Sequence, residues 1–492
     1  MLRVLSGGSA RLEREGVESA MPEGKLVTRR QVLRRAGWGL VGIASLPLLQ
    51  ACSQSAPASA PTSAAPAAGG ATPAPAAGGA TQAPAISSGQ KPQLRILQWS
   101  HFVPAWDKWY DAWVKDWGTK NGVDASVDHI PTADLPARLA AEVAAKSGHD
   151  LFEMNGQILT YRYTEQMVEL KDIVDYAVSK QGEMEPIGKK LANVNGKWVG
   201  VPHYFIMIAP FVRKDLFQQA GYDWQKVETW DQYHEVGKKL KDAKHAAGFA
   251  ISHCNDANHN WRAIMWAHGA SEVAEDGKTV TLGTPEMKDF LKFSQALYKD
   301  AITPEVFAWD DASDNRWLAS GVGGYIHDAL SSYRSIEGQN KQLFDSLAIA
   351  PVIKGPKKQI AMPDGNVFSM WQFTPPQNQE AAKTFLKYLF DNYLEDFKQS
   401  TGYNMPMYGN IYKMNPVPIL GENPNLQICL KYRGDFIDTF GHPGPPTAQA
   451  TLVLNNYVIP DMVGIAVRGD GDQGVNDALS FAKDQLSKIY TA

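Results

Sequence analysis

Leu94-Arg95-Ile96-Leu97-Gln98-Trp99 reads as a short strand, and together with the aromatic stretch after it decides the fold. Trp106, Trp109, Tyr110, Trp113 and Trp117 come next, at offsets of 0, 3, 4, 7 and 11, which is a helical stripe. Such a stripe is most simply core, above all at Trp109 and Trp113, while Trp106 sits at the helix start. Residues 123–129 alternate as a second strand, 133–145 read as a helix, and Asp150-Leu151-Phe152-Glu153-Met154 is a third strand. Strand–helix–strand repetition with short links implies an α/β fold, a parallel or mixed sheet flanked by helices. Ligands of such sheets gather at the carboxyl ends of the strands. Here those ends are Trp99-Ser100-His101-Phe102 and Asn155-Gly156-Gln157.

The alternation runs on. Strands are expected at 206–212, 249–252 and 323–326. Helices are expected at 230–243 (capped by Thr229), 285–300 (capped by Thr284), 380–391 and 474–490. About 400 residues exceed the comfortable size of one core, so two lobes are expected.

The segment upstream is of another kind. Thr28-Arg29-Arg30-Gln31-Val32-Leu33-Arg34 precedes an apolar stretch at 36–49 that ends in Leu49-Gln50-Ala51-Cys52. A basic lead and a short apolar core read as an export signal, too short to span a bilayer. The paired arginines resemble a twin-arginine motif, and the last four residues a lipoprotein box that would leave Cys52 lipidated. Met1 and Met21 both serve as possible starts. From Ser53 to Lys91 the chain is almost wholly Ala, Pro, Gly, Ser and Thr, with the unit Pro-Ala-Ala-Gly-Gly-Ala-Thr-x-Ala repeated from Pro66 and Pro75. Such a segment cannot bury enough apolar surface to offset its ordering entropy, so 52–92 is expected to be a disordered tether with a mean reach of about 35 Å. The implied location is outside the cytoplasm, by a lipid anchor on the outer face of the cytoplasmic membrane or in the periplasm.

Composition excludes several classes. The 492 residues carry a net charge of −4, with 44% apolar and 20% charged residues. That balance excludes a nucleic-acid binder working through a large basic face. Three Cys exclude a disulfide scaffold and a Cys-rich zinc module. No His-Glu-x-x-His, phosphate-loop or Gly-x-Ser-x-Gly motif is present, and no enzyme, metal or cofactor is expected, although a glycosidase would need only two carboxylates placed by the fold. Cys254 and Cys429 read as buried free thiols or as one disulfide. Gly469-Asp470-Gly471-Asp472-Gln473-Gly474 fails the calcium-loop pattern and reads as a lead into the last helix. His253, Asp256 and His259 have weak metal spacing and suit a ligand loop or plain surface better.

Several stretches resemble, in order, the substrate-binding lipoproteins of ABC importers, the maltose-binding-protein-like sugar-binding family 1. Asp150-Leu151-Phe152 and Met167-Val168-Glu169-Leu170-Lys171-Asp172 resemble its "D-V-F … G-x-L-x-P-L-D" region. Asn195-Gly196-Lys197-Trp198-Val199-Gly200-Val201-Pro202 resembles "G-K-x-Y-G-x-P". Arg213-Lys214-Asp215-Leu216-Phe217, Gly221 and Thr229-Trp230-Asp231-Gln232-Tyr233 resemble "N-K-D-L-F … G … T-W-D-E". Residues 378–389 resemble "S-K-N-x-E-A-A-x-x-F-L-x-x-L", and Val475-Asn476-Asp477-Ala478-Leu479 the closing helix.

The resemblance implies a two-lobed periplasmic-binding-protein-like fold of type II, hinged between the lobes. Lobe one would be 93–205 plus 350–398, and lobe two 206–349 plus 399–492. Crossings are implied near 204–208, 348–352 and 399–403. It implies a monomeric receptor that captures a sugar and delivers it to membrane permease subunits. Asp328-Ala329-Leu330-Ser331-Ser332-Tyr333 has no Trp where the family often places one, so the resemblance points to the family and not to the solute.

Sugars stack on aromatic rings and pair their hydroxyls with short polar side chains. The candidate contacts are therefore Trp99, His101 and Trp106; Asn155 and Gln157; Asn255, Asp256, His259 and Trp261; His327, Asp328 and Ser331; Asp364 and Trp371; and Tyr204 at the first crossing. Each Trp serves equally well as core, and the polar strand-end residues equally well as helix caps. Another polar solute (polyol, phosphorylated polyol, peptide, polyamine), a tethered carbohydrate hydrolase and a sensory role are the competing readings.

Overall fold

The computed structural model describes residues 91–156 and 158–491. The expected leader, lipidation at Cys52, nearly all of the tether and Gln157 lie outside the described residues.

The described residues form eleven strands: β1 (Gln93–Trp99), β2 (Asp124–Ile130), β3 (Leu151–Asn155), β4 (Asn193–Val194), β5 (Lys197–Trp198), β6 (Val201–Ile206), β7 (Ala209–Arg213), β8 (Tyr325–Asp328), β9 (Leu347–Ile349), β10 (Asp364–Ser369) and β11 (Met405–Pro406). β1 is central to its sheet because Leu94, Ile96, Leu97 and Trp99 bury almost completely, and it pairs in parallel with both β2 and β3. β10, buried along its whole length, returns antiparallel between β3 and β6, and β11 closes the edge. The order of this mixed sheet is β11-β6-β10-β3-β1-β2. A second sheet sets β7 between β8 and β9, all antiparallel. β4 and β5 form a separate hairpin. Each large sheet is the floor of one lobe, giving the two-lobed, helix-flanked α/β architecture.

The single strand expected at 206–212 is two strands in different sheets, separated only by Met207 and Ile208. The strand expected at 249–252 is not one: extended chain just before it makes isolated bridges from Ala247 to Ile302 and from Gly248 to Ile326. β11 keeps the chain in the first sheet beyond 399–403.

The helices follow local chemistry. Thr229 caps Trp230–Asp242 with a complete capping box: its hydroxyl accepts from the Gln232 N–H at 3.2 Å, and the Gln232 side chain accepts from the Thr229 N–H at 3.1 Å. Thr284 caps Pro285–Ala301 likewise, through the Met287 N–H at 3.3 Å. The last helix, Gly471–Tyr490, starts within the loop expected to precede it.

The tryptophan stripe on Pro104–Asn121 is rotated from expectation. Trp106 and Trp117 are buried, while Trp109 and Trp113 are half-buried and stack on one another with ring centres 5.2 Å apart. Cys254 and Cys429 are both buried free thiols whose ionisation burial pushes up.

Candidate functional site

The two lobes meet along a polar seam. From lobe one come Thr132, just after β2, Asn155 at the end of β3, and Asp364 and Asn366 on β10. Asn366 lies opposite Asn155 in the antiparallel register, and the Asn155 amide donates to Asn366 Oδ1 at 3.1 Å. The Thr132 hydroxyl donates to Asn155 Oδ1 at 2.9 Å. Lobe two supplies the first turns of helix Asn255–Ala267. Asn255 donates its amide to Thr132 Oγ1 at 3.4 Å, and His259 Nε2 stands 2.7 Å from Asp364 Oδ1. Gly156 (φ +61°) makes room for this pairing, because a Cβ there would collide with Asp364 Oδ1.

Behind the seam, lobe two gathers carboxylates. Asp256, Asp314 on helix Ser313–Ala319, and Asp328 at the end of β8 are 6%, 1% and 2% exposed. One oxygen from each lies within 4.8 Å of those from the other two. Asp311 joins them, accepting the Asp256 backbone N–H at 3.2 Å. Burial first, then mutual repulsion, pushes Asp256 and Asp314 well above the ordinary carboxylate range. Burial likewise raises Asp328, to about 8. Asn315 donates to Ser331 Oγ at 3.3 Å, and the Tyr403 hydroxyl is hydrogen-bonded to Ser331.

On the lobe-one side lies an aromatic stack. His101 sits between Trp99 and Trp106, with ring centres 4.8 and 4.7 Å away, and Trp106 stacks on Tyr110 at 4.6 Å. His101 accepts the Val103 N–H at Nδ1 (2.9 Å), so Nε2 carries the proton and donates to Asn404 Oδ1 at 2.9 Å. Burial holds its pKa down at about 4, so the ring is neutral near pH 7. Deeper in the same lobe, His203 lies between Glu153 Oε1 at 2.6 Å and Asp396 Oδ2 at 3.3 Å. Burial alone would lower its pKa, but the two carboxylates raise it to about 9. Asp396 also accepts the Trp106 indole N–H at 2.6 Å.

The sequence candidates divide accordingly. Asn155, Asn255, Asp256, His259, Asp328, Ser331 and Asp364 are brought together, and His101 adjoins them through Asn404 and Tyr403. Asn255, Asp256 and His259 stand on a buried helix, not on the expected strand-end loop. Trp99, Trp106 and Tyr204 are fully buried in lobe one, held by packing among neighbouring rings. Trp261 gives its indole N–H to Ala250 O at 2.8 Å. Trp371 gives its own to Glu142 Oε2 at 3.0 Å and packs on Phe152. His327 is engaged with Asn260 Oδ1 at 2.6 Å. His253 pairs with Asp461 at 2.9 Å, so the weak metal trio is not assembled. Thr132, Asp311, Asp314, Asn366, Tyr403 and Asn404 were not singled out by sequence. The only hint was the acidic run Asp310-Asp311-Ala312-Ser313-Asp314, which reads as solvated surface. Among the described residues, the groups able to hold a cation are Cys254, Asp256 and Asp311, and Asp256, Asp314 and Asp328. A separate groove of about 980 Å³, lined by residues such as Tyr161, Met184, Trp198 and Pro445, shares no residue with the seam.

Comparison with known proteins places this architecture. Residues 112–407 match the model of the bacterial extracellular solute-binding protein family, and the chain belongs to that family. It is a family of binding proteins, with capture rather than catalysis as its task. The structure of maltose-bound MalE3 from T. maritima superposes with a TM-score of 0.69 at 21% identity, covering 81% of this chain and 99% of that one. A sugar transporter from Arthrobacter chlorophenolicus A6 with bound laminaribiose gives 0.69 at 19% identity, covering 80% and 99%. An arabinooligosaccharide-binding protein of Halalkalibacterium halodurans is 23% identical over 128 residues, 26% of this chain and only 27% of that relative's length.

Proposed function

We propose that the chain is the extracytoplasmic receptor of an ABC importer, in the sugar-binding branch of its family. It captures a carbohydrate between its lobes and hands it to permease subunits in the membrane. A twin-arginine leader would export it, and lipidated Cys52 with the tether would hold it, as a monomer, near the membrane. The proposed lobes are 93–205 plus 350–398, and 206–349 plus 399–492, except that β11 extends the sheet of the first lobe.

The observation that carries this reading is the seam. Buried polar side chains from both lobes converge there and meet across it, Asn255 on Thr132 and His259 on Asp364. A solute touching both lobes at once would stabilise the closed arrangement in proportion to its preference for it. Asn155, Asn255, Asp256, His259, Asp328, Ser331 and Asp364 are the proposed contacts, with Gln157 beside them in sequence. The sugars named for the similar structures support a carbohydrate.

A thermal-shift and calorimetric screen over mono- and oligosaccharides tests the proposal. A true ligand at 100 times its Kd should add about 2.7 kcal/mol of stability. Release of a hydrolysed product during the same incubation would overturn the receptor reading.

A further inference from the structure

We propose that the solute carries a protonated amine, seated against Asp256, Asp314 and Asp328. This rests on the receptor reading and adds the ligand's charge. The three carboxylates come from three separate elements, yet they converge in a place with almost no access to water. Each has one oxygen, Oδ2, with no hydrogen-bond partner. A buried carboxylate with an unused oxygen and no cation beside it is costly.

A second observation is independent of these acids. His259, 2% exposed, stands one helical turn from Asp256 and close enough to Asp311 to shift its ionisation. Its Nε2 is turned to Asp364 at 2.7 Å, and its buried Nδ1 has no hydrogen-bond partner. Asn315 Oδ1, on the helix of Asp314, is a further unpartnered acceptor. In their ionised form, the unused carboxylate oxygens around the cluster ask for donors, as does Asn315 Oδ1. A sugar hydroxyl brings one donor and no charge, whereas an ammonium brings three donors and a full positive charge. Three acceptors at about 2.8 Å from one tetrahedral nitrogen lie about 4.6 Å apart, and the three converging oxygens all lie within 4.8 Å of one another. A calcium ion would ask for six to eight oxygens, whereas one oxygen from each of the three side chains is what converges.

Sources of such an amine are amino sugars and linear polyamines. Calorimetry on the full mature protein would compare glucosamine and its β-1,4 dimer with glucose and cellobiose, alongside spermidine and calcium chloride. An amine-bearing probe should bind at least about 10-fold tighter than its hydroxyl counterpart. Its binding should release protons, seen as a heat that differs between buffers of different ionisation enthalpy. Asp314→Asn and Asp328→Asn should each weaken amine binding about 10- to 100-fold while raising the Tm of the ligand-free protein. Preference for spermidine over glucosamine supports the proposal and assigns the linear source. Equal affinity for amine and hydroxyl sugars overturns it and leaves the receptor reading standing. So does stabilisation by calcium without any amine preference. Failure of every probe overturns it together with the reading on which it rests.

Discussion

Each lobe buries a group of charges, and the two groups are built on opposite plans. In lobe one, Glu153 and Asp396 flank His203, and their negative charge is what keeps that ring protonated. The group supplies its own cation. In lobe two, Asp256, Asp311, Asp314 and Asp328 face one another, and burial and mutual repulsion raise the pKa of every one of them. The first group is finished by folding, while the second is left with capacity to spare. Buried charge marks a structural device where it is paired and a binding surface where it is not.

Four experiments put this contrast at risk. The largest effect belongs to His203→Ala, which strands two buried carboxylates. It should cost about 3–5 kcal/mol in urea unfolding, and a loss below about 1 kcal/mol would mean that His203 is not the counter-ion.

Next comes pH. His203 has its folded pKa raised to about 9, so its stabilising contribution is present below the unfolded value near 6.5 and fades as pH rises through 9. Asp328, raised to about 8, acts in the same sense: the folded state holds a proton that the unfolded state has released, so stability falls as pH rises toward 8. The titratable groups facing it are Asp256, Asp311, Asp314, Asp364 and Tyr403. His101 and His327, lowered to about 4 and 3, oppose this trend only below about 6.5. Ligand-free protein should therefore lose up to about 5 kcal/mol between pH 6.5 and 9. A flat profile in that window contradicts both assignments.

Trp371→Phe removes an indole donor from a buried carboxylate in lobe one, away from both groups. It should cost about 1.5 kcal/mol with ligand affinity unchanged, and a weakened affinity would return Trp371 to the site. The smallest effect carries the opposite sign. Asp314→Asn should stabilise the ligand-free protein by about 1 kcal/mol, whereas a structural carboxylate would destabilise on the same change.

Much of the frame was readable in advance because its signals are local. The capping box at Thr229 and the helix after Thr284 need only neighbouring residues. What could not be read depends on partners far away in sequence. β10 slots between β3 and β6 and brings Asp364 to Gly156, a meeting that no periodicity announces. Every residue of Asn255–Ala267 is buried, so its polar residues face the protein interior and not solvent, and its site residues looked like a loop. The tryptophans read equally well as platforms or as core, and in the fold Trp99, Trp106, Trp261 and Trp371 are engaged by indole hydrogen bonds or by neighbouring rings.

The strap of Met207 and Ile208 between β6 and β7 sets how the molecule can move. Two residues hold about four soft dihedrals, which leaves almost no slack. Opening should then resemble a door on a fixed pin, turning without sliding. Spin labels beside Tyr204 and Phe211 would keep their separation, while labels near Thr132 and Asn255, now 3.4 Å apart at their side-chain tips, would part widely. The distance distribution across the seam would thus report one angle.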